Sequence, residues 1–137
     1  MDQNCIFCKI VKGEIPSTKV YEDEKSLVLV DINPVNIGHL LAIPKEHFEN
    51  IYETPEEIMA HLMKICKRLS SAIKKAMNAD GVNITMNNEP SAGQIIMHSH
   101  VHVIPRFKDD GFGTWHGKRP YNDGEKEEVA EKIKKEL

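Results

Sequence analysis

The chain has 137 residues, 40% of them apolar, with 18 basic against 21 acidic side chains and a formal charge of −3. That length supports one compact core and predicts a single domain over residues 1–137, and the lack of any apolar run of 18 residues excludes a membrane-spanning helix. The slight acidic excess and a pI of about 6.2 exclude a general binder of nucleic acid, which needs a broad basic field to displace counterions, so any nucleotide bound here is held by local groups.

The opening "MDQNCIFCKI" carries neither a basic segment nor an apolar stretch of export-signal length, which makes the cytoplasm the expected location. It contains Cys5-Ile-Phe-Cys8. Three cysteines are too few and too odd in number for a disulfide framework, so this pair is open as half a metal site, a redox pair or two reduced thiols. Two short β-type runs follow, "SLVLVDI" at 26–32 and "HLLAIP" at 39–44, preceded by "TKVYED" and joined by the turn-like "NPVNIG". Connections this short favour antiparallel neighbours.

Thr54-Pro55-Glu56-Glu57 predicts a helix start, with the Thr54 hydroxyl as cap and proline at the first helical position. Ile58, Leu62, Ile65, Leu69, Ile73 and Ala76 then recur at spacings of three and four, one buried stripe that ends near Asn78. Beside it, His61 is expected to face solvent and Cys66 to act as a small core hydrophobe. The run "VNITMN" alternates as a half-buried strand, the loop "NEPSAG" follows, and a further strand is expected over 95–104. A charged surface helix is predicted within 124–136. No internal repeat or low-complexity tract interrupts this order, which reads as an α+β fold with the long helix on one face of an antiparallel sheet.

"GQIIMHSHVHVIPR" places His98, His100 and His102 at every second position of the expected strand, about 6–7 Å apart on one face. Leaving three imidazoles without partners in a core costs roughly 1–3 kcal/mol each, which makes a purely structural origin unattractive. Such a row can chelate zinc or act as nucleophile and acid–base group. A zinc hydrolase also wants a carboxylate base, and only Glu89 in the preceding loop fits. The asparagines, Gly93 and Gln94 are instead what a phosphate oxygen needs in a site without a basic field.

The stretch His98-Ser99-His100-Val101-His102-Val103-Ile104 resembles the motif of the histidine triad (HIT) family, with Ser99 departing from the apolar residue of the first gap. The resemblance extends to "CIFCKIVKGEIPSTKVYED", "DINPVNIGHLLAIPKEH" and "NNEPSAGQ", and so covers most of residues 5–107, closest to the bacterial and archaeal branch that carries the cysteine pair. It implies the histidine triad fold, with about five antiparallel strands, one long helix and a C-terminal helix. It also implies a nucleotide hydrolase or transferase acting at the α-phosphate of nucleoside phosphoramidates or dinucleoside polyphosphates of adenosine or guanosine type. His100 attacks phosphorus to form a nucleotidyl-histidine, and His102 contacts the phosphate or the bridging atom. For that role His100 needs one ring nitrogen free and the other held by an acceptor, such as a backbone carbonyl.

By the same resemblance Asn87, Gly93 and Gln94 frame the phosphate, Asp31 takes the ribose hydroxyls, Ile32 belongs to the base pocket, and His39 supports the triad. On the residues alone Asp31 also fits a strand-end turn. Cys5, Cys8, His47 and His98 are implied as a structural zinc site, with no catalytic metal, and a homodimer is the implied assembly. Ile95 stands where several members carry a serine or threonine near the leaving group, which removes a hydroxyl donor. Trp115 and His116 are candidates on the leaving-group side. A nucleotide-binding or interaction module with marginal activity is the alternative, and a zinc hydrolase using the triad as ligands is the third reading.

Overall fold

The computed structural model describes residues 2–113 and 117–137, and the expectations for Trp115 and His116 lie outside the described residues. The elements are α1 (Ile6–Val11), β1 (Lys19–Glu22), β2 (Ser26–Val30), β3 (Leu40–Pro44), α2 (Glu56–Ala76), β4 (Gly81–Thr85), β5 (Val101–Arg106) and α3 (Glu125–Lys134). The five strands form one antiparallel sheet in the order β1-β2-β3-β5-β4, with β4 at an edge. Among the described residues no helix is long and apolar enough to cross a membrane.

Most of the α2 stripe packs as its spacing predicts: Leu62, Ile65, Leu69 and Ile73 are buried against Val28, Leu40, Ala42, Val101 and Val103, with Ile58 beside them, whereas Ala76 is exposed and Met77 closes that end. Cys66 joins that core, and burial pushes its thiol up to about 11, which leaves it protonated and inert at neutral pH. The opposite face of β2 and β3 is also covered, because Phe7, Cys8 and Ile10 of α1 pack with Cys5 onto Leu27, Leu29, Leu41 and Ile43. Thus the expectation of one covered face is incomplete. The unbroken apolar run of β2 reports burial on both sides, as in a strand sandwiched between layers.

Two local expectations are corrected. Thr54 does not cap α2. Its hydroxyl bonds the Asn50 carbonyl at 2.7 Å and the Ser99 hydroxyl at 2.6 Å, and the helix begins after Pro55 without a side-chain cap. His61 does not simply face solvent. It is half-buried, with Nε2 2.8 Å from the Asp23 carboxylate in the β1–β2 turn.

Burial alone would raise the Asp23 carboxyl, yet the Ser26 hydroxyl, the amides of Lys25 and Ser26 and the Tyr21 hydroxyl hold it well below the usual carboxylate range. A carboxyl with a depressed folded-state pKa stabilises above its unfolded pKa, and that contribution is lost as pH falls through the folded value. Asp23→Asn is therefore expected to lower the urea midpoint at neutral pH, and the gap to wild type should close below about pH 4. A gap that stays constant from neutral pH into acid would refute this assignment.

Candidate active site and metal centre

β5 begins at Val101, so of the three histidines only His102 lies on the strand, and the expected strand over 95–104 is shortened at its start. The chain before it is bent: the Ser99 amide bonds the Phe48 carbonyl at 2.6 Å, and the His98 amide bonds the Ile96 carbonyl. The expected regular row is therefore broken into a pair and a single. His100 and His102 have ring centroids 4.9 Å apart, whereas His98 lies beyond Phe7, whose ring meets His98 and His100 edge-on at 5.7 and 5.3 Å. Phe7, in the middle of the cysteine pair, was not singled out from the sequence. Its apolar character between two cysteines was the only signal.

His98 belongs to a cluster with Cys5, Cys8 and His47, whose ligand atoms all lie within 4.8 Å of one another. The His98 Nε2–H donates to the Pro44 carbonyl at 2.9 Å, which leaves Nδ1 as a lone pair aimed into the cluster. From there Nδ1 is 3.2 Å from His47 Nδ1 and 3.3 and 3.7 Å from the Cys5 and Cys8 sulfurs, and Cys8 Sγ is 3.4 Å from His47 Nδ1. Tetrahedral zinc with ordinary Zn–N and Zn–S bonds sets about 3.3 Å between two nitrogens and about 3.6 Å between nitrogen and sulfur. The residues fit that ion. Burial raises the Cys5 thiol, a cost that a bound cation reverses by favouring the thiolate.

The tautomers of the other histidines follow from donors whose identity is fixed. Val35 N–H donates to His39 Nδ1 at 3.1 Å, so neutral His39 carries its proton on Nε2. That N–H points at His102 Nδ1, 2.8 Å away, with an Asp31 carboxylate oxygen at 3.6 Å. His102 therefore accepts on Nδ1 and carries its proton on Nε2, which has no protein partner among the described residues. His100 donates Nδ1–H to the His98 carbonyl at 2.6 Å, and its Nε2 lone pair is left free. Burial lowers the pKa of His39 and His100, and that of His102 to about 4, so these rings are neutral at pH 7. Asp31, His39 and His102 also lie close enough to suggest a second metal cluster. Binding there would displace the proton that His39 Nε2 presents to His102 Nδ1.

These rings stand in a cleft of about 930 Å³ on the α1 face of the sheet. Asp31, Ile32, His39, Asn87, Gly93, His100 and His102 all line it, with apolar walls from Phe7, Ile10, Leu29 and Leu41. Asp31 also accepts the Asn33 amide at 2.8 Å, so its turn role and its place in the cleft coexist. Gly93 has φ of 88°, and a Cβ there would come within 3.3 Å of the Asn87 amide nitrogen. This loop position therefore favours glycine.

One of the expected residues stands apart from the cleft, and another sits at its rim. Gln94 is buried and does not line the cleft. Its amide bonds the carbonyls of Glu49 and Ile96 and accepts the Glu89 N–H, so it braces the loop that carries Gly93. Ile32 lines the cleft but is 88% exposed, at its rim. Glu89, the one loop carboxylate considered as a base, is exposed and stands outside the cleft lining.

A family model described as "HIT domain" matches residues 12–109. An uncharacterized HIT-like protein of Borreliella burgdorferi is 46% identical over 118 residues, which span 85% of each chain. Two relatives carry named activities. An adenosine 5'-monophosphoramidase of Candida albicans is 38% identical over 80% of this chain and 74% of its own, and an adenylylsulfatase of Arabidopsis thaliana is 43% identical over 80% and 56%. Among solved structures, a HIT family member from Bacillus subtilis superposes with a TM-score of 0.91 at 40% identity over 98% of both chains. A zinc-bound histidine triad protein from Mycobacterium smegmatis gives a TM-score of 0.77 at 37% identity over 85% of this chain and 84% of that one. With the α+β fold, the paired imidazoles and these matches in agreement, the chain belongs to the HIT domain family.

Proposed function

We propose that this chain hydrolyses or transfers a nucleotide at its α-phosphorus, through a covalent intermediate on His100. The observation that carries this reading is the proton arrangement of the paired imidazoles: His100 offers a lone pair on Nε2 and His102 an N–H on Nε2, in one cleft. A neutral ring whose far nitrogen is already committed to a carbonyl is a competent nucleophile at pH 7. The named activities of the Candida and Arabidopsis relatives support the same substrate class.

In this reading the ribose hydroxyls donate to Asp31, the base lies against Ile10, Leu29 and Leu41 with Ile32 at the rim, and Asn87 and Gly93 face the phosphate. His100 Nε2 attacks phosphorus, and the bond to the leaving group breaks with its electron pair on the departing atom, which accepts a hydrogen bond from His102 Nε2–H and takes its proton from solvent. The phosphorylated ring is cationic, and its Nδ1–H on the His98 carbonyl shares that charge. Water then attacks phosphorus and gives up a proton to solvent, and the P–N bond to His100 breaks to release the nucleoside monophosphate. His39 holds His102 in the donating tautomer throughout.

Zinc at Cys5, Cys8, His47 and His98 is structural in this account: a closed four-residue set leaves no position for substrate. When bound, it ties α1 to the segment that carries His98. A homodimer built through the β4 edge is the proposed assembly, since β4 ends the sheet and its Ile84 forms an exposed apolar patch with Ala60 and Met63 of α2.

The test is intact-protein mass spectrometry within seconds of mixing with an adenosine phosphoramidate. A transient gain of one adenylyl mass, mapped to His100 after proteolysis, is expected. Turnover with no adduct under conditions that trap phosphohistidine, or an adduct on another residue, would overturn the reading. Nucleotide binding without turnover would favour the binding-module alternative.

A further inference from the structure

Position 99 continues the alternation that sends Val101 and Val103 into the α2 core, and it is fully buried. An apolar side chain there would add contacts, yet the residue is a serine. A buried hydroxyl is costly unless it is hydrogen-bonded, and among the described residues that of Ser99 has one partner, the Thr54 hydroxyl at 2.6 Å. Thr54 is buried too, and it leaves the start of α2 without a side-chain cap to make this contact. Its single proton goes to the Asn50 carbonyl at 2.7 Å, so within the pair Ser99 donates and Thr54 accepts. The result is a directed chain from the Ser99 O–H through the Thr54 O–H to the Asn50 carbonyl.

The peptide group that joins His98 to Ser99 is planar, so its C=O and N–H point in opposite directions and turn together. The C=O receives His100 Nδ1–H at 2.6 Å, and the N–H donates to the Phe48 carbonyl at 2.6 Å. The two bonds share one peptide dipole, and each polarises the other. The ladder of the sheet does not fix this plane, because β5 starts at Val101 and its pairing with β3 begins at Ala42 and Val101. The Ser99 hydroxyl supplies a restraint in its place. With its amide on Phe48 and its side chain on Thr54, Ser99 is tied at two points to segment 48–54, which leads into α2.

We infer that Ser99 is a positioning residue for the nucleophile: its hydroxyl, held by Thr54, locks the His98–Ser99 peptide so that the His98 carbonyl keeps the His100 proton on Nδ1 and the lone pair on Nε2. This rests on the proposed role of His100. Without the hydroxyl the peptide turns more freely, the Nδ1–H loses its fixed acceptor, and the ring spends time in the tautomer whose Nε2 carries the proton and cannot attack. Substrate binding is untouched, because neither Ser99 nor Thr54 lines the cleft.

The test compares wild type with Ser99→Ala, Thr54→Val, their double variant and the conservative Thr54→Ser, all loaded with zinc and measured below their melting temperatures. The first-turnover rate of adduct formation at saturating adenosine phosphoramidate is expected to fall about tenfold in Ser99→Ala and Thr54→Val, with half-saturation moved by less than about twofold, the scale of one orienting hydrogen bond. The double variant should lose no more than the worse single, because both substitutions delete the same interaction. Thr54→Ser keeps the hydroxyl and should stay near the wild-type rate. Nitrogen NMR of labelled histidine at neutral pH should show His100 of wild type in one tautomer, protonated on Nδ1, and a mixture in the two variants that lack a hydroxyl. A purely structural role lowers their melting temperatures and leaves rate and tautomer as in wild type. That result, or a loss of rate shared by Thr54→Ser, overturns the inference. Failure of the hydrolase reading is seen separately, as no turnover by any of the proteins, wild type included. The tautomer spectra then decide alone: a mixture in Ser99→Ala and Thr54→Val sustains the inference, and a single unchanged tautomer overturns it.

Discussion

His100→Ala is expected to reduce kcat/KM for an adenosine phosphoramidate by about 10⁴-fold or more, the scale seen when a covalent nucleophile is removed. The lost group is, among the described residues, the one imidazole in the cleft whose Nε2 lone pair is free while its Nδ1–H is held by a carbonyl. His102→Ala should cost less, about 10²–10³-fold, because a hydrogen-bond donor to the departing atom lowers the barrier without being the bonded atom. The steady-state rates of both variants, with urea midpoints as the control for folding, check this ordering. An His100→Ala enzyme within tenfold of wild type would remove the nucleophile assignment. If it also lost activity on chelation at once, the zinc-hydrolase reading would take its place.

Stripping the metal from the Cys5, Cys8, His47 and His98 cluster is expected to lower the melting temperature by about 14 °C. A site held a thousandfold above its Kd contributes about 4 kcal/mol, and a chain of this length shifts by roughly 3.5 °C per kcal/mol. Activity should decline as the fold loosens, following the melting curve. Cys8→Ala should show most of this loss without chelator and little further change when chelator is added. Scanning calorimetry paired with metal analysis decides it: a melting temperature unchanged after zinc has demonstrably left would show that α1 is held by its apolar contacts with Leu27, Leu29 and Ile43 alone.

The parts of this fold that sequence makes legible are those governed by period. The α2 stripe and the alternation around Val101 and Val103 carry their burial in their spacing. Helix α1 does not, because six residues are too few to show a period. What covers the second face of β2 is therefore visible only in three dimensions. The triad misleads for a related reason. Its every-second spacing reads as strand, yet the backbone at His98 departs from the strand so that its carbonyl can take the His100 N–H.

Thr54 shows a third kind of failure. A hydroxyl placed where a helix cap belongs is claimed by a better partner, Ser99, 45 residues away. The tautomers, which decide the chemistry, depend on Pro44 and Val35, neither of which carries a reactive side chain. The metal and nucleotide residues were implied by family resemblance and not by spacing. Gln94, which the resemblance sets at the phosphate, is found buried with its amide on the carbonyls of Glu49 and Ile96.

His98 answers to two separate demands. Its ring completes the cysteine–histidine cluster, while its peptide carbonyl, a group every amino acid possesses, receives the N–H of the reacting imidazole. The division between side chain and main chain makes the two demands separable by evolution. A descendant that lost the metal could replace the ring at this position with any residue that fills the space beside Phe7 and still keep its nucleophile oriented, provided the backbone holds its path.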